Sequence, residues 1–138
     1  MIDWVLDCSF ALAWGLRDEE TSKADRLLSR VSQKSQFWVP ALWWYEISNA
    51  LTTARLRKRL LESQFSYVIG LYQDLPIQTD LSLGYDQVFR LFSIAQTYHL
   101  SAYDAAYLEL AERKGIGLAT LDHRLVQAAK LSGVQVFS

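Results

Sequence analysis

Four acidic residues border apolar stretches of the sequence, where an unpaired charge is costly to keep. They are Asp7, Glu46, Asp104 and Asp122. Neither lysine nor arginine is an immediate neighbour of any of the four. Charges at the border of a core are usually paired or coordinate a metal ion. If the fold brings these acids together, the simplest neutralising partner is a divalent cation.

Carboxylates that lie close together repel one another and attract cations. Two carboxylates about 4 Å apart repel by roughly 4 kcal/mol at an effective dielectric near 20, so a shared proton or a cation must relieve the repulsion. Oxygen ligands favour Mg²⁺ or Mn²⁺. Such an ion orients a water, helps to deprotonate it and stabilises charge on a phosphodiester. The residue types therefore suit metal-dependent hydrolysis of phosphodiester bonds.

Strand-like and helix-like segments alternate along the chain. Alternation implies parallel strands joined by right-handed crossovers, with helices on both faces of the sheet. We predict a three-layer α/β/α domain with a central, mainly parallel sheet of about 4–5 strands. The predicted strands are 2–6, 36–39, 76–79, 116–121 and 134–137, and the predicted helices are 10–16, 19–33, 40–59, 62–73, 84–98, 101–114 and 124–131.

This topology predicts that the four acids meet. Ligands of open parallel sheets bind beyond the C-terminal ends of the strands. Asp7 follows the first predicted strand, and Asp122 follows the strand 116–121. Glu46 and Asp104 lie near the starts of helices that begin at the same edge. Four acids that are distant in sequence are thus expected to share one rim.

Length and composition limit the class of protein. The 138 residues, 51% of them hydrophobic, suit one domain spanning 1–138 with a single core. A net charge of −1 gives no general attraction to nucleic acid, so any such affinity must come from a local patch. One cysteine excludes an internal disulfide. With neither a basic leader nor a long apolar run, we expect a cytoplasmic protein without a membrane span.

The motifs around the acids resemble those of the PIN-domain family. Asp7-Cys8-Ser9 resembles the opening of a PIN domain, and residues 46–51 resemble its E-x-x-N-A-L segment. Residues 103–108 resemble its Y-D-A helix start, and residues 119–125 its T-L-D-x-x-L strand end. The resemblance covers essentially the whole chain, in the right order and spacing. The closest subgroup is the VapC-type toxins of toxin–antitoxin pairs.

The resemblance implies an endoribonuclease dependent on Mg²⁺ (or Mn²⁺), with an RNA substrate, a cognate antitoxin lying across helices near the site, and a homodimer. It assigns catalysis and metal binding to the acidic quartet and polar support to two hydroxyls. Asn49, one turn after Glu46, is a further candidate for support because it lies on the same helix face. The quartet is Asp7, Glu46, Asp104 and Asp122, and the hydroxyls belong to Ser9 and Thr120.

Helix capping is the alternative explanation for several of these residues. Ser101-x-x-Asp104 has the spacing of a capping box, and acids are favoured in a first helical turn. Asp122 has the position of an N-cap for the helix that follows it. Ser9 and Thr120 are open to the same explanation. Cys8 is expected to pack beside the sheet, since nothing nearby activates a thiolate.

A dense basic cluster ends the predicted helix 40–59. Such a cluster is either a solvated helix end that complements the helix dipole or a contact for RNA phosphates. Its basic residues are Arg55, Arg57, Lys58 and Arg59.

Four large aromatic residues lie around the start of the same helix. We expect some of them in the core and the rest in an exposed strip for RNA or a protein partner. They are Trp38, Trp43, Trp44 and Tyr45.

Three other classes of protein remain as alternatives. A PIN fold without catalysis would serve as an RNA- or protein-binding module, although all four acids are present. Haloacid-dehalogenase-like phosphatases need a second Asp two residues after the first, where this chain has Ser9. Receiver domains need adjacent acids after the first strand.

Overall fold

A four-stranded parallel sheet lies at the centre of the computed structural model, which describes residues 2–19 and 21–138. Strand β1 (Asp3–Leu6) lies between β2 (Gln36–Pro40) and β4 (Gly117–Ala119), and β3 (Ile77–Asp80) lies outside β2. Every strand pair is parallel. The predicted α/β class with a central parallel sheet is confirmed.

Helices connect and flank the strands, as a parallel sheet requires. A short 3₁₀ turn, Arg17–Glu19, follows the first helix. Among the described residues the helices are α1 (Cys8–Gly15), α2 (Ser22–Ser29), α3 (Leu42–Leu56), α4 (Glu62–Gln73), α5 (Tyr85–Tyr98), α6 (Ala102–Lys114) and α7 (His123–Ser132).

Helix α6 is the most deeply packed helix around the sheet. Residues 105–111 are all buried, because small and apolar side chains surround the helix axis there. The acid among these seven residues, Glu109, accepts from Arg113 (Nε to Oε1, 2.8 Å) and pairs with Arg90 (Nε to Oε1, 3.4 Å). Ser101 caps the start of α6, and Gly115 ends it with φ 65°, in the left-handed region that favours glycine.

Strands β1 and β4, which carry two of the acids at their ends, approach closely. Trp4 is paired with Gly117, where an added Cβ would lie only 2.4 Å from the indole ring. The same indole packs edge-on against Phe137, with 5.3 Å between ring centroids. A residue without a side chain is therefore required at position 117 for this pairing.

Several predicted boundaries are wrong. Residues 134–137 do not form a strand and contribute only a parallel bridge between Leu118 and Val136. Pro40 ends β2 and does not begin a helix, since α3 starts at Leu42. That helix ends at Leu56 and not at Arg59, because the backbone leaves helical geometry and Lys58 has φ 60°.

The first two helices also differ from expectation. Helix α1 begins at Cys8, and its N-cap is Asp7 and not Ser9, because the chain turns directly at the end of β1. The predicted helix 19–33 is shortened to Ser22–Ser29, with Thr21 as its N-cap. That prediction also covered Glu20, which is outside the described residues.

None of the helices formed by residues 2–19 and 21–138 has the length and apolar character that crossing a membrane requires.

Candidate active site

Asp7 is held at the end of β1 by hydrogen bonds from three directions. Its Oδ1 accepts from the backbone N–H of Cys8 (2.8 Å). Its Oδ2 accepts from the hydroxyls of Ser9 (3.0 Å) and Thr120 (2.6 Å). The backbone N–H of Asp7 donates to the carbonyl of Ala119 (3.0 Å), which joins β1 to the end of β4. The carboxylate therefore has a defined orientation.

The environment of Asp7 is unfavourable for its charge. Burial raises the pKa of Asp7 above its ordinary value, and the negative charge of Asp104 raises it further. Hydrogen bonds from Thr120, Ser9 and Cys8 act in the opposite direction. A positive charge at this site would stabilise the ionised carboxylate.

Glu46 reaches the site from the first half of α3 and is half-buried. Its Oε1 accepts a hydrogen bond from the hydroxyl of Tyr107, and the thiol of Cys8 lies 3.8 Å from the same oxygen. Burial is the main reason that the pKa of Glu46 is raised, and the charges of Asp7 and Asp104 add to it. The hydrogen bond from Tyr107 lowers that pKa in part.

Asp104 lies in the first turn of α6, where Ser101 acts on both its backbone and its carboxylate. Its backbone N–H donates to the hydroxyl of Ser101 (3.1 Å), so the cap uses the backbone of Asp104. Its half-buried carboxylate has a raised pKa because of burial and the nearby charge of Asp122. Ser101 and Arg124 lower that pKa in part.

Asp122 is the exposed N-cap of α7, so the capping explanation holds for this residue. Its Oδ1 accepts from the backbone N–H groups of Arg124 (2.9 Å) and Leu125 (3.2 Å). Its own N–H donates to Thr120 Oγ1 (3.0 Å). Its Oδ2 accepts no hydrogen bond from the residues that the structure describes, so capping uses only one oxygen of the carboxylate.

The structure brings the four acids into one electrostatically coupled group. Asp7, Glu46 and Asp104 interact with one another, and Asp104 also interacts with Asp122. Within residues 2–19 and 21–138, none of the four forms an ion pair with lysine or arginine. The group therefore carries negative charge that the described residues leave largely uncompensated.

The donor set has the chemistry of a site for a hard cation. In the described part of the chain, no three histidine, cysteine, aspartate or glutamate side chains are close enough to enclose an ion by themselves. Mg²⁺ does not need such a cage, because it keeps several waters and binds through one or two carboxylates. Carboxylates that have raised pKa values and form no ion pair with a described residue fit an ion of this kind.

The predicted support residues differ in their contacts. Ser9 Oγ donates to Asp7 and accepts from the N–H of Leu121 (2.9 Å), so its hydroxyl links the ends of β1 and β4. Buried Thr120 links Asp7 to Asp122 through one hydroxyl. Asn49 is exposed and is not among the described residues that hydrogen-bond Glu46.

Two contacts of Glu46, with Tyr107 and Cys8, were not predicted from the sequence. Tyr107 was noted only as part of a motif, and Cys8 only as a packed residue. Tyr107 follows Asp104 by three residues, which places both on one face of α6. That spacing was the available indication that Tyr107 also faces the site.

The basic cluster is exposed at the end of α3, but its members are not equivalent. Arg59 pairs with Asp18 (Nε to Oδ2, 2.6 Å) and with Glu19 (3.2 Å), which ties the cluster to the 3₁₀ turn. Its other members form no ion pair with a described residue, and these are Arg55, Arg57 and Lys58.

The aromatic residues near α3 divide between core and surface, as expected. Trp43 is fully buried. Trp44 donates from Nε1 to Thr79 Oγ1 (2.8 Å), while Tyr45, beside Glu46, is 78% exposed. Trp38 is half-buried beneath the ammonium of Lys114, 3.6 Å from the ring centroid.

Comparison with known proteins gives one consistent result. The sequence matches the model of the PIN domain family over residues 4–131. Ribonuclease VapC3 of Pyrobaculum aerophilum is 30% identical over 128 residues, covering 89% of this chain and 92% of that protein. The crystal structure of PAE2754 from Pyrobaculum aerophilum matches with a TM-score of 0.64 at 22% identity, over 99% of this chain and 90% of that one. At that identity the structural likeness concerns the fold alone.

Proposed function

The chain belongs to the PIN-domain family, and from this premise we propose that it is an endoribonuclease that uses Mg²⁺ or Mn²⁺ to hydrolyse RNA phosphodiester bonds. The observation that carries the proposal is the coupled group of Asp7, Glu46 and Asp104, whose pKa values are all raised. The relative named Ribonuclease VapC3 supports RNA as the substrate.

The carboxylates of Asp7, Glu46 and Asp104 would hold the ion, one or two of them directly and the rest through water, with Asp122 at the margin of the site. When bound, the ion supplies Lewis-acid activation of a water and stabilises charge on the phosphodiester. Thr120 and Ser9 orient the Asp7 carboxylate by hydrogen bonds to Oδ2. Asp122 is limited to one oxygen, because the other caps α7.

RNA must reach an acidic site on a protein of nearly neutral charge, so a local positive surface is needed. We assign this contact to Arg55, Arg57 and Lys58, which are exposed and make no ion pair with described residues. Arg59 contributes less, because Asp18 and Glu19 already neutralise it.

We further propose that the protein is the cytoplasmic toxin of a toxin–antitoxin pair, with a cognate antitoxin as partner, and that it forms a homodimer. The relative named VapC3 supports the toxin assignment. Helix α5 offers an apolar stripe for a second copy of the chain. Its residues Tyr85, Val88, Phe89 and Phe92 are 88%, 62%, 74% and 67% exposed.

Incubation of the purified protein with total RNA tests the function directly. We expect defined fragments with Mg²⁺ or Mn²⁺, loss of cleavage with EDTA, and loss in Asp7→Asn. RNA binding without cleavage under every metal condition would favour the non-catalytic binding module. Expression of the chain in cells tests the toxin role, because a toxin should arrest their growth. Co-expression with the product of a small neighbouring reading frame, the expected antitoxin, should relieve that arrest.

A further inference from the structure

We propose that Tyr107 is a positioning residue that fixes the orientation of Glu46, with Cys8 as a second contact to the same oxygen. The hydroxyl of Tyr107 donates to Glu46 Oε1, and Cys8 Sγ lies 3.8 Å from that atom. The inference rests on the proposed function, in which Glu46 is a metal ligand.

The contact joins three helices at one carboxylate oxygen. Tyr107 lies on α6 on the same face as Asp104, Cys8 begins α1, and Glu46 is on α3. The thiol of Cys8 is 3.6 Å from the Tyr107 hydroxyl and 3.7 Å from the carbonyl oxygen of Trp43. Because Tyr107 is only 1% exposed, packing fixes its ring and therefore the position of its hydroxyl.

Glu46 needs such an anchor because its acidic neighbours repel it. The charges of Asp7 and Asp104 both act on its carboxylate, and its side chain is only half-buried. Repulsion favours rotamers that turn the carboxylate towards water. The hydrogen bond to Oε1 opposes that rotation, while Oε2 accepts no hydrogen bond from any residue that the structure describes. One oxygen is thus anchored and the other is available to a ligand.

Packing alone does not require the hydroxyl, since phenylalanine would fill almost the same volume. Tyr72 shows the contrasting case. It is also buried, but its hydroxyl donates to the backbone carbonyl of Ala11 (2.6 Å) and does not contact an acid. Tyr72→Phe is therefore a matched control that removes a buried tyrosine hydroxyl away from the carboxylates.

The test compares Tyr107→Phe with Tyr72→Phe. Calorimetric titration with MnCl₂, without RNA, should show a loss of about tenfold or more in affinity for Tyr107→Phe, as for other residues that orient a metal ligand. Its kcat for RNA cleavage should fall while KM stays close to that of the wild type. Tyr72→Phe should match the wild type in both measurements. Equal Mn²⁺ affinity in Tyr107→Phe and the wild type would overturn the inference.

A second comparison tests whether Tyr107 affects Mn²⁺ affinity through Glu46. In a Glu46→Gln background, Tyr107→Phe should cause little further loss of Mn²⁺ affinity, because residues that act through one another are not additive. The same tenfold loss in that background would mean that Tyr107 acts by another route, which also overturns the inference.

Melting curves separate folding from positioning. If Tyr107→Phe does not fold, Cys8→Ala provides the test, because it removes the other contact to Glu46 Oε1. Cys8→Ala should weaken Mn²⁺ binding to a smaller degree. Unchanged Mn²⁺ affinity in Cys8→Ala would overturn the inference. If the wild type neither binds Mn²⁺ nor cleaves RNA, the proposed function fails and the inference falls with it. If the wild type binds Mn²⁺ and Tyr107→Phe binds it with the same affinity, only the inference about Tyr107 fails and the proposed function stands.

Discussion

Asp104 lies at a helix start and is a proposed metal ligand, and the helix cap needs only its backbone N–H. Its backbone N–H donates to the Ser101 hydroxyl, and its half-buried carboxylate lies near the charge of Asp122 and also interacts with Ser101. In Asp104→Asn the cap is kept and one repelling charge is removed, so the metal-free protein should melt at the same temperature or higher. Metal-induced stabilisation should shrink, and RNA cleavage should fall by orders of magnitude.

Asp86→Asn is the matched control for this substitution, since Asp86 is an exposed acid in the first turn of α5. It should lose only the first-turn charge, at a cost of about 0.3–1 kcal/mol, and keep full cleavage. Normal cleavage by Asp104→Asn, together with a lowered metal-free melting temperature, would contradict the catalytic assignment of Asp104.

The pH dependence of the metal-free Asp104→Asn variant follows from the raised pKa of Asp104. When the folded pKa of an acid is raised, its charge destabilises the fold above that pKa, and the penalty disappears as pH falls to the ordinary value of 3.8. The stability advantage of the variant should therefore be largest near neutral pH and shrink towards acid. Urea unfolding curves at several pH values measure the difference in unfolding free energy between the variant and the wild type. A difference that grows on acidification would contradict a raised pKa for Asp104.

At the scale of elements, we propose that the basic C-terminal end of α3 attracts RNA phosphates. Replacing Arg55, Arg57 and Lys58 with glutamine should weaken RNA binding and flatten its salt dependence, by roughly 0.7 in the log–log slope for each phosphate that is no longer neutralised. The choice of cleavage site should be kept, because phosphate contacts carry no sequence information directly. Binding isotherms at several salt concentrations provide the measurement.

Two controls accompany the triple variant. Lys34→Gln removes an exposed charge just before β2, at the opposite edge of the sheet from the acids, and should leave the slope unchanged. Arg59→Gln should change RNA binding less than the triple variant, since Asp18 and Glu19 already pair with Arg59. An unaltered slope in the triple variant would identify the cluster as a solvated helix end.

At the scale of the whole molecule, binding of an ion that requires the folded site must stabilise the fold. At a hundredfold excess over its dissociation constant, Mg²⁺ or Mn²⁺ should add about 2.7 kcal/mol. For a chain of 138 residues this corresponds to a rise in Tm of a few degrees. Melting curves with chloride salts test it, with Na⁺ at matched ionic strength as the control. A Tm indifferent to millimolar Mg²⁺ and Mn²⁺ would count against a metal site.

Association of two chains is also a property of the whole molecule. Changing Phe89 and Phe92 to glutamate places charge on the exposed stripe of α5 and should convert a dimer into a monomer, because monomers rarely expose such contiguous apolar patches. Leu131→Glu alters an equally exposed residue on α7 and should leave the dimer intact. Light scattering after size-exclusion chromatography measures the mass, and an unchanged dimer of the double variant would exclude α5 as the interface.

Local patterns in the sequence determined most of the helices. The predicted helix 62–73 coincides with α4. The side chain of Gln64 caps the start of this helix, because it accepts a hydrogen bond from the backbone N–H of Leu61 (2.8 Å). Helix α6 covers Ala102–Lys114, within one residue of the predicted helix 101–114. Amphipathic spacing and end residues act over one or two turns, so neighbours in the chain are sufficient to specify them. The expectation that the acids meet at one edge came from the rule that ligands bind beyond the C-terminal ends of parallel strands.

Contacts between distant residues were decided by the tertiary structure alone. Tyr107 and Glu46 are 61 positions apart, and Arg59 is 41 positions from Asp18. Segment 134–137 has the composition of a strand, yet only Val136 bridges to Leu118. Strand pairing, hydrogen bonds and ion pairs form only where packing brings the two groups within about 3–4 Å of each other. The types of the side chains alone do not determine that distance. The sequence thus specified the acids and their edge, while packing of α1, α3 and α6 decided which groups hold each carboxylate.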